Sequence, residues 1–282
     1  MLALVFPGQG SQSKGMASEL FDSVPEYARV ESEVDELLGY SMRRLCLDDP
    51  NEELNQTQFT QPALYVANAL HYFSKKAEGI TASYFAGHSL GEYNALLAAG
   101  AFDFMSGLKL VQKRGELMSQ AKDGGMAALI GIDGEKIREL LVEHGLDAVD
   151  IANFNSPAQT VLSGPVLELE RGQTIFKEAG AKLYKVLPVS AAFHSRYMKS
   201  AAEEFATFIA GFSFSELQTP VVANVTGKPY ESASAIPGLL VRQISGSVQW
   251  TQSIRYLKAA GVDTFEEAGP GKVLTKLIKQ ID

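Results

Sequence analysis

The chain has 282 residues but contains only one cysteine and four histidines. The single cysteine, Cys46, excludes an internal disulfide and predicts a reducing compartment, so we expect a cytoplasmic protein. The four histidines are scattered along the chain and do not show the spacing of metal ligands. Neither a disulfide framework nor a metal site is therefore expected.

The chain also lacks an excess of positive charge and any long hydrophobic run. Its net charge is −8, which argues against a nucleic-acid-binding surface, because such a surface needs a basic stripe. No apolar run approaches the roughly 20 residues that span a bilayer. The segment 1–7 has no basic residue and is interpreted as a first strand rather than a signal peptide. We expect neither a nucleic-acid nor a membrane partner.

The residues that are present predict an α/β fold. Hydrophobic residues make up 46% of the chain, enough for a large core. Strand-like runs alternate with helix-like segments, which predicts a doubly wound, mainly parallel sheet with an α/β-hydrolase-like core. Residues 123–190 follow the order strand, helix, strand, strand, helix, strand, which predicts an inserted ferredoxin-like small domain. The large domain then comprises residues 1–122 and 191–282.

Two prolines refine this prediction. A helix is predicted over residues 58–76, and Pro62 is placed near its N-terminus, where a missing N–H is tolerated. The last extended segment of the small domain covers residues 182–189. Pro188 within it predicts an edge strand or the end of a strand.

The segment Gly87-His-Ser-Leu-Gly91 fits the G-x-S-x-G pattern and lies between a predicted strand and a predicted helix. A serine at such a sharp turn exposes its Oγ beside the positive end of the helix. The glycines are required because a Cβ at either position would clash in so tight a bend. Ser89 is therefore a candidate nucleophile; the alternative is an ordinary glycine-flanked turn that happens to hold a serine.

Two further residues complete a possible site. A serine needs a base within hydrogen-bond reach, and His194 is the candidate because it lies where the small domain returns to the large one; the alternative is a surface or helix-capping histidine. His88, beside the nucleophile, is interpreted as structural rather than as a base. Arg114 lies near the apolar face of a predicted helix, where it could bind a carboxylate or simply extend its charged end to solvent.

Six motifs occur in order and carry a family resemblance. They are Phe6-Pro-Gly-Gln-Gly-Ser-Gln12, Gly87-His-Ser-Leu-Gly-Glu92, Gln112-Lys-Arg-Gly115, Gly125-Met-Ala-Ala-Leu-Ile-Gly131, Asn153-Phe-Asn-Ser-Pro157 and Ala192-Phe-His-Ser195. Together they resemble malonyl-CoA:acyl carrier protein transacylases, the acyltransferases of fatty-acid and polyketide synthesis. The resemblance covers nearly the whole chain.

The resemblance implies a role for each residue of the site. Ser89 would attack the thioester of malonyl-CoA while His194 takes its proton. The main-chain N–H groups of Gln9 and Leu90 would form the oxyanion hole. Arg114 would pair with the free carboxylate of the malonyl group.

The resemblance also implies residues that support this chemistry. In place of an aspartate, a side-chain amide and backbone carbonyls would orient His194, and Gln249 is assigned to that position. Bulky apolar residues at the positions of Leu90 and Phe193 accompany a preference for malonyl over methylmalonyl groups, and Phe193 would fill the space of an α-methyl group. His88 is placed among the residues that bind substrate.

The expected activity is transfer of a malonyl group to the phosphopantetheine thiol of an acyl carrier protein. Malonyl-CoA is a substrate, so no cofactor is expected, and a monomer is expected. The runs Gln58–Leu64 and Ser190–Ser195 look most like freestanding, trans-acting acyltransferases of polyketide synthases. A housekeeping fatty-acid enzyme, an editing acyl-thioester hydrolase and a noncatalytic docking subunit are the alternatives.

Overall fold

The computed structural model describes residues 1–189 and 191–282, and its strands form two separate sheets. The strands are β1 (Leu2–Phe6), β2 (Tyr84–Gly87), β3 (Gly125–Ile130), β4 (Asp150–Ser156), β5 (Gln159–Gly164), β6 (Leu183–Val186), β7 (Val221–Ala223), β8 (Lys228–Pro229) and β9 (Thr264–Glu267). The helices are α1 (Leu20–Ser23), α2 (Pro25–Ala28), α3 (Glu31–Leu38), α4 (Met42–Asp48), α5 (Thr57–Ala77), α6 (Gly91–Ala98), α7 (Phe104–Ser119), α8 (Gly134–Glu143), α9 (Val166–Glu178), α10 (Lys199–Ile209), α11 (Ile236–Ser245), α12 (Trp250–Ala259) and α13 (Val273–Ile278). Short 3₁₀ turns at Arg196–Met198 and Ala233–Ala235 precede α10 and α11.

The larger sheet has the strand order β8-β7-β2-β1-β9. Strand β1 pairs in parallel with β2 and β9, β2 pairs in parallel with β7, and β8 is antiparallel to β7. Successive residues of β1 point to opposite faces, so Leu4 and Phe6 enter one hydrophobic cluster while Ala3 and Val5 enter another. Burial on both faces is typical of a parallel sheet covered by helices. The prediction of a mainly parallel α/β sheet is confirmed.

The smaller sheet is antiparallel, with the order β4-β5-β3-β6. Helices α8 and α9 belong to the same stretch of chain and share a hydrophobic core with it, built around Leu129, Ile137 and Phe176. This is the predicted ferredoxin-like arrangement, and β6 is an edge strand, as Pro188 indicated. The boundaries at 123 and 190 stay a prediction, and Ser190 lies outside the described residues.

One local expectation is corrected, and two elements were not predicted. Helix α5 begins at Thr57, so Pro62 lies inside the helix rather than at its N-terminus. Helix α11 and strand β8 were not predicted from the sequence at all. Pro237 and Gly238 near the start of α11 hide its periodicity, although a proline in the first turn is compatible with a helix.

Of the helices in the described part of the chain, none combines the length and the apolar character needed to cross a membrane.

Candidate active site

Ser89 lies in the turn between β2 and α6, and its backbone adopts a left-handed conformation with φ of 52°. A Cβ on Gly87 would overlap the main chain of Gly91, and a Cβ on Gly91 would overlap the main chain of Phe6. Both glycines of the motif are therefore required by close approach of backbone, as the sequence predicted. This strand-to-helix turn, the elbow, presents Ser89 at the end of the parallel sheet.

Asn224, which follows β7, holds this turn in place. Its Oδ1 accepts a hydrogen bond from the Ser89 N–H at 2.6 Å, and its Nδ2 donates to the Gly87 carbonyl at 2.6 Å. A single buried amide thus pairs two backbone groups on either side of the bend. Sequence reasoning missed Asn224, because it is 135 residues away from the serine along the chain.

The structure brings His194 to the predicted nucleophile. Its Nε2 lies 2.7 Å from Oγ of Ser89, and its Nδ1 lies 2.8 Å from the main-chain carbonyl of Gln243. Since a carbonyl only accepts, Nδ1 carries the proton and Nε2 presents its lone pair to the serine hydroxyl. Burial and the positive charge of Arg114 lower the pKa of His194 to about 3. The imidazole is therefore neutral at physiological pH and able to accept a proton.

Arg114 extends from α7 into the same site and is only 1% exposed. Its Nη2 donates to Oγ of Ser89 at 3.1 Å and to Oε1 of Gln243 at 2.9 Å, and its Nη1 donates to Oε1 of Gln61 at 2.7 Å. The guanidinium also lies 5.7 Å from the ring centroid of Tyr93. Arg114 does not reach solvent, so the alternative of a snorkelling side chain is wrong.

The buried guanidinium lacks a direct counter-ion. No carboxylate of the described residues lies within ion-pair distance of Arg114, and its Nε has no hydrogen-bond partner there. Burial lowers the pKa of Arg114, yet a guanidinium stays charged in proteins. A buried cation without an anion is costly, so the arrangement favours an anionic ligand beside Ser89.

The N–H groups predicted for the oxyanion hole lie at the same site. Neither the N–H of Gln9 nor that of Leu90 has a hydrogen-bond acceptor among the residues that the structure describes. Leu90 is at the N-terminus of α6, where the helix dipole favours negative charge. The Gln9 side chain is anchored to Thr57 at 3.2 Å. Neither N–H group is therefore occupied by another described residue, and their role as an oxyanion hole stays a prediction.

A cavity of about 640 Å³ connects these groups. Strands β3, β4 and β5 of the smaller sheet line one side of it, and the segments that follow β1 and β2 of the larger sheet line another. The lining includes Gln9, His88, Ser89, Leu90, Arg114, Phe193 and His194. Phe193 is 7% exposed and Leu90 is 1% exposed, so both present apolar surface inside the cavity. The site therefore lies between the two sheets, where ligand pockets commonly form.

His88 lies in the cavity wall but is held by other residues. Its Nε2 is 2.8 Å from Oδ1 of Asn155, and its ring packs edge-on against Trp250 with centroids 5.6 Å apart. Burial lowers the pKa of His88. These contacts fit the interpretation that His88 is structural rather than a base; its contact with substrate stays a prediction.

The expectation for Gln249 is corrected by the geometry. The group that faces Nδ1 of His194 is the main-chain carbonyl of Gln243, on the unpredicted helix α11. Gln249 precedes α12, where its own N–H donates to the carbonyl of Asn224, and it lines a second cleft of about 730 Å³ that shares His194 with the active-site cavity. A backbone carbonyl does orient the histidine, as expected, but it belongs to a residue six positions earlier in the sequence.

Comparison with known proteins identifies the family. The acyl transferase domain model matches residues 3–281. A polyketide biosynthesis malonyl CoA-acyl carrier protein transacylase of Bacillus velezensis, BaeC, is 52% identical over 100% of this chain and 96% of its own length. The malonyl CoA-acyl carrier protein transacylase of Escherichia coli K12 is 43% identical over 99% of this chain and 92% of its own.

A solved structure supports the same family assignment. A malonyl-transacylase described in complex with a type II polyketide synthase acyl-carrier protein has a TM-score of 0.94 and 41% identity, covering 99% of this chain and 92% of that one. The fold, the Ser89–His194 pair and the buried arginine thus agree with the resemblance drawn from the six motifs. The chain belongs to the acyl transferase domain family, among the malonyl-CoA:acyl carrier protein transacylases.

Proposed function

We propose that the protein transfers a malonyl group from malonyl-CoA to the phosphopantetheine thiol of an acyl carrier protein, through a malonyl ester of Ser89. The observation that carries the proposal is the buried Arg114, which has no carboxylate partner and lies 3.1 Å from Oγ of Ser89. A planar guanidinium binds a carboxylate through two parallel hydrogen bonds. The free carboxylate of a malonyl group would supply the missing anion next to the reacting carbonyl.

In the first half-reaction, Oγ of Ser89 attacks the thioester carbonyl while Nε2 of His194 takes the hydroxyl proton. The carbonyl oxygen becomes an oxyanion that accepts hydrogen bonds from the N–H groups of Gln9 and Leu90, and each such donor contributes on the order of 3–4 kcal/mol. The C–S bond then breaks, and the leaving thiolate receives the proton from His194. The malonyl group stays on Ser89 as an ester.

The second half-reaction reverses the roles with a different thiol. The phosphopantetheine thiol of the carrier protein gives its proton to His194 and attacks the malonyl ester. The Ser89 oxygen leaves and takes the proton back. His194 therefore acts as base and acid in both halves, while Arg114 keeps the carboxylate in place.

The group that accepts the hydrogen bond from Nδ1 of His194 is uncharged, which suits the exchange between thioester and ester. The carbonyl of Gln243 orients the imidazole without adding a negative charge, so it raises the basicity of His194 less than a buried carboxylate would. Exchange between a thioester and an ester is nearly isoenergetic and requires less activation than cleavage of an amide. A histidine with a lowered pKa is sufficient for that task.

The proposed substrate preference rests on Phe193 and Leu90. Both are buried, apolar and part of the cavity wall, so they would occupy the space that the α-methyl group of methylmalonyl needs. His88 would contact the acyl group because it lines the same cavity. One methyl group in a pocket is worth about 1–3 kcal/mol, so the discrimination would be partial.

For the pathway, we favour polyketide synthesis. The relative from Bacillus velezensis, which is named for polyketide biosynthesis, is 52% identical, whereas the Escherichia coli relative is 43% identical. The enzyme would act on its carrier protein in trans, as a cytoplasmic monomer without a cofactor. A housekeeping role in fatty-acid synthesis is the alternative.

The test is to load a panel of acyl carrier proteins from labelled malonyl-CoA with the wild type and with Arg114→Ala. We expect the variant to lose malonyl loading and to keep or improve acetyl loading, because only the partner of the malonyl carboxylate is removed. Arg43→Ala is the matched control, since Arg43 pairs with Asp22 and Glu31 outside the site. It should load malonyl groups as the wild type does.

Two outcomes would contradict the proposal. Rapid release of malonate that does not depend on a carrier protein would favour an editing hydrolase. Failure of Ser89 to gain malonyl mass in intact-protein mass spectrometry would indicate a docking subunit without activity. Preferential loading of polyketide over fatty-acid carrier proteins would support the proposed pathway.

A further inference from the structure

Glu92 is a buried acid that has no part in the mechanism above. It lies on α6, three residues after the nucleophile, and is 1% exposed. Its Oε1 accepts hydrogen bonds from the Tyr230 hydroxyl and from the Asn224 N–H, the latter at 3.2 Å. Its Oε2 accepts from Nε2 of Gln243 at 2.6 Å. Every one of these partners is a donor, so the carboxylate is placed as an acceptor at both oxygens.

The amide of Gln243 connects this acid to the active site. Its Nε2 donates to Glu92 and also to the carbonyl of Ser89 at 2.7 Å, while its Oε1 accepts from Nη2 of Arg114 at 2.9 Å. The orientation of the amide follows from its partners: a carboxylate and a carbonyl can only accept, and a guanidinium can only donate. Glu92 therefore fixes the orientation of the Gln243 side chain, which contacts Arg114.

We propose that Glu92 is a positioning residue, whose carboxylate holds the Gln243 amide with Oε1 towards Arg114 and so fixes the guanidinium where it meets the carboxylate of the malonyl group. The inference rests on the function proposed above and adds the group that sets the geometry of its anion site. Glu92 does not touch the substrate; it acts through Gln243 and Arg114.

A carboxylate is required at this position because three donors converge on it. An amide at residue 92 would present one NH₂ group, either to the Asn224 N–H and the Tyr230 hydroxyl or to Nε2 of Gln243. In the first case the new NH₂ group faces the buried N–H of Asn224, so two hydrogen-bond donors oppose each other next to the elbow. In the second case Gln243 is driven to turn over, which would place its NH₂ group against the guanidinium of Arg114.

The charge of Glu92 also matters to the buried arginine. The charge of Glu92 acts on Arg114, while Tyr93 lies beside the guanidinium and Tyr230 donates to the carboxylate. Burial raises the pKa of Glu92 to about 7, although hydrogen bonds from Tyr230 and Gln243 and the charge of Arg114 act to lower it. When it is ionised, the carboxylate offsets the charge of the guanidinium without occupying the place of the substrate.

The experiment measures acyl-enzyme formation on Ser89 with malonyl-CoA and with acetyl-CoA over a range of concentrations. For Glu92→Gln we expect KM for malonyl-CoA to rise about tenfold, with kcat/KM for acetyl-CoA within about twofold of the wild type. In an Arg114→Ala background, the same change should no longer alter the ratio of malonyl to acetyl loading, because the residue through which it acts is gone.

Tyr72→Phe serves as the matched control. Tyr72 donates its hydroxyl to the Ala98 carbonyl at the opposite end of the same helix, so this variant loses a hydrogen bond from α6 without touching Glu92. Its malonyl-to-acetyl ratio should equal that of the wild type.

Equal losses with both substrates in Glu92→Gln, or no loss with either, would overturn the positioning role while leaving the proposed function intact. A wild-type enzyme that does not load malonyl groups would instead refute the proposed function. A thermal melt of each variant separates these results from unfolding.

Discussion

Ser89 and His194 both lie in the left-handed region of the backbone, with φ of 52° and 55°, and their Oγ and Nε2 atoms are 2.7 Å apart. Left-handed backbone is unfavourable for residues other than glycine and is retained where the surroundings enforce it. Asn224 enforces it at the elbow through two hydrogen bonds. Ser89 and His194 are thus kept in hydrogen-bond contact although the backbone conformation of each is unfavourable.

Removing this strain should stabilise an inactive enzyme. Ser89→Gly and Ser89→Ala both remove the hydroxyl and should abolish acyl-enzyme formation. Glycine tolerates positive φ, so we expect Ser89→Gly to be more stable than Ser89→Ala by about 1 kcal/mol in urea-induced unfolding.

Ser74 provides the control because it lies inside helix α5. There the order should reverse, with Ser74→Gly less stable than Ser74→Ala by up to about 1 kcal/mol. An alanine variant of Ser89 as stable as the glycine variant would show that the backbone of the elbow is not strained.

Asn224→Asp should damage the elbow although the two side chains have the same shape. A carboxylate cannot donate to the Gly87 carbonyl, which would then face a second acceptor at 2.6 Å. We expect the free energy of unfolding to fall by about 1–3 kcal/mol, and malonyl loading to fall with it. Asn51→Asp, at an exposed position, should change the stability by less than about 0.5 kcal/mol.

Phe193→Ser should enlarge the space beside the acyl group. We expect the rate of methylmalonyl loading to rise relative to malonyl loading by about tenfold, within the range of 1–3 kcal/mol that one methyl group is worth. Competition between the two CoA esters, followed by mass spectrometry of the acyl-enzyme, measures the ratio. Phe102→Ser, in a different part of the core, should leave it unchanged. An unaltered ratio in Phe193→Ser would refute the pocket assignment.

The lowered pKa of His194 predicts a pH-dependent contribution to stability. The unfolded state binds a proton on this histidine below pH 6.5, whereas the folded state does so only near pH 3. His194 therefore makes folding less favourable as the pH falls below 6.5, and its effect vanishes above that value. Between pH 6 and pH 4, the wild type should lose about 1 kcal/mol per pH unit relative to His194→Gln.

Denaturant unfolding of both proteins across this pH range gives the comparison. The difference between them isolates His194 from Glu92, whose raised pKa acts in the opposite direction over part of the range. If the difference in unfolding free energy stayed constant with pH, the buried imidazole would take up its proton as readily as a free one.

Much of the fold could be predicted from local patterns. The parallel strands β1 and β2 are short apolar runs ended by glycine, and the small domain shows its order of strands and helices directly in the sequence. Helix α11 could not be predicted, because Pro237 and Gly238 interrupt the signal that its apolar face would otherwise give. The family resemblance pointed to Gln249 as the residue that orients His194, whereas the structure places the carbonyl of Gln243 there.

The sequence by itself determined the identity of the reacting groups, since a serine in a glycine-flanked turn, a histidine and an arginine can be recognised by residue type and motif. Only the tertiary structure decided what surrounds them. The carbonyl of Gln243 accepts from His194, Asn224 bonds to both sides of the elbow, and Glu92 accepts from the Gln243 amide that contacts Arg114. These contacts join residues between 49 and 151 positions apart. Their hydrogen bonds depend on packing between distant elements, which leaves no periodic or local trace in the chain.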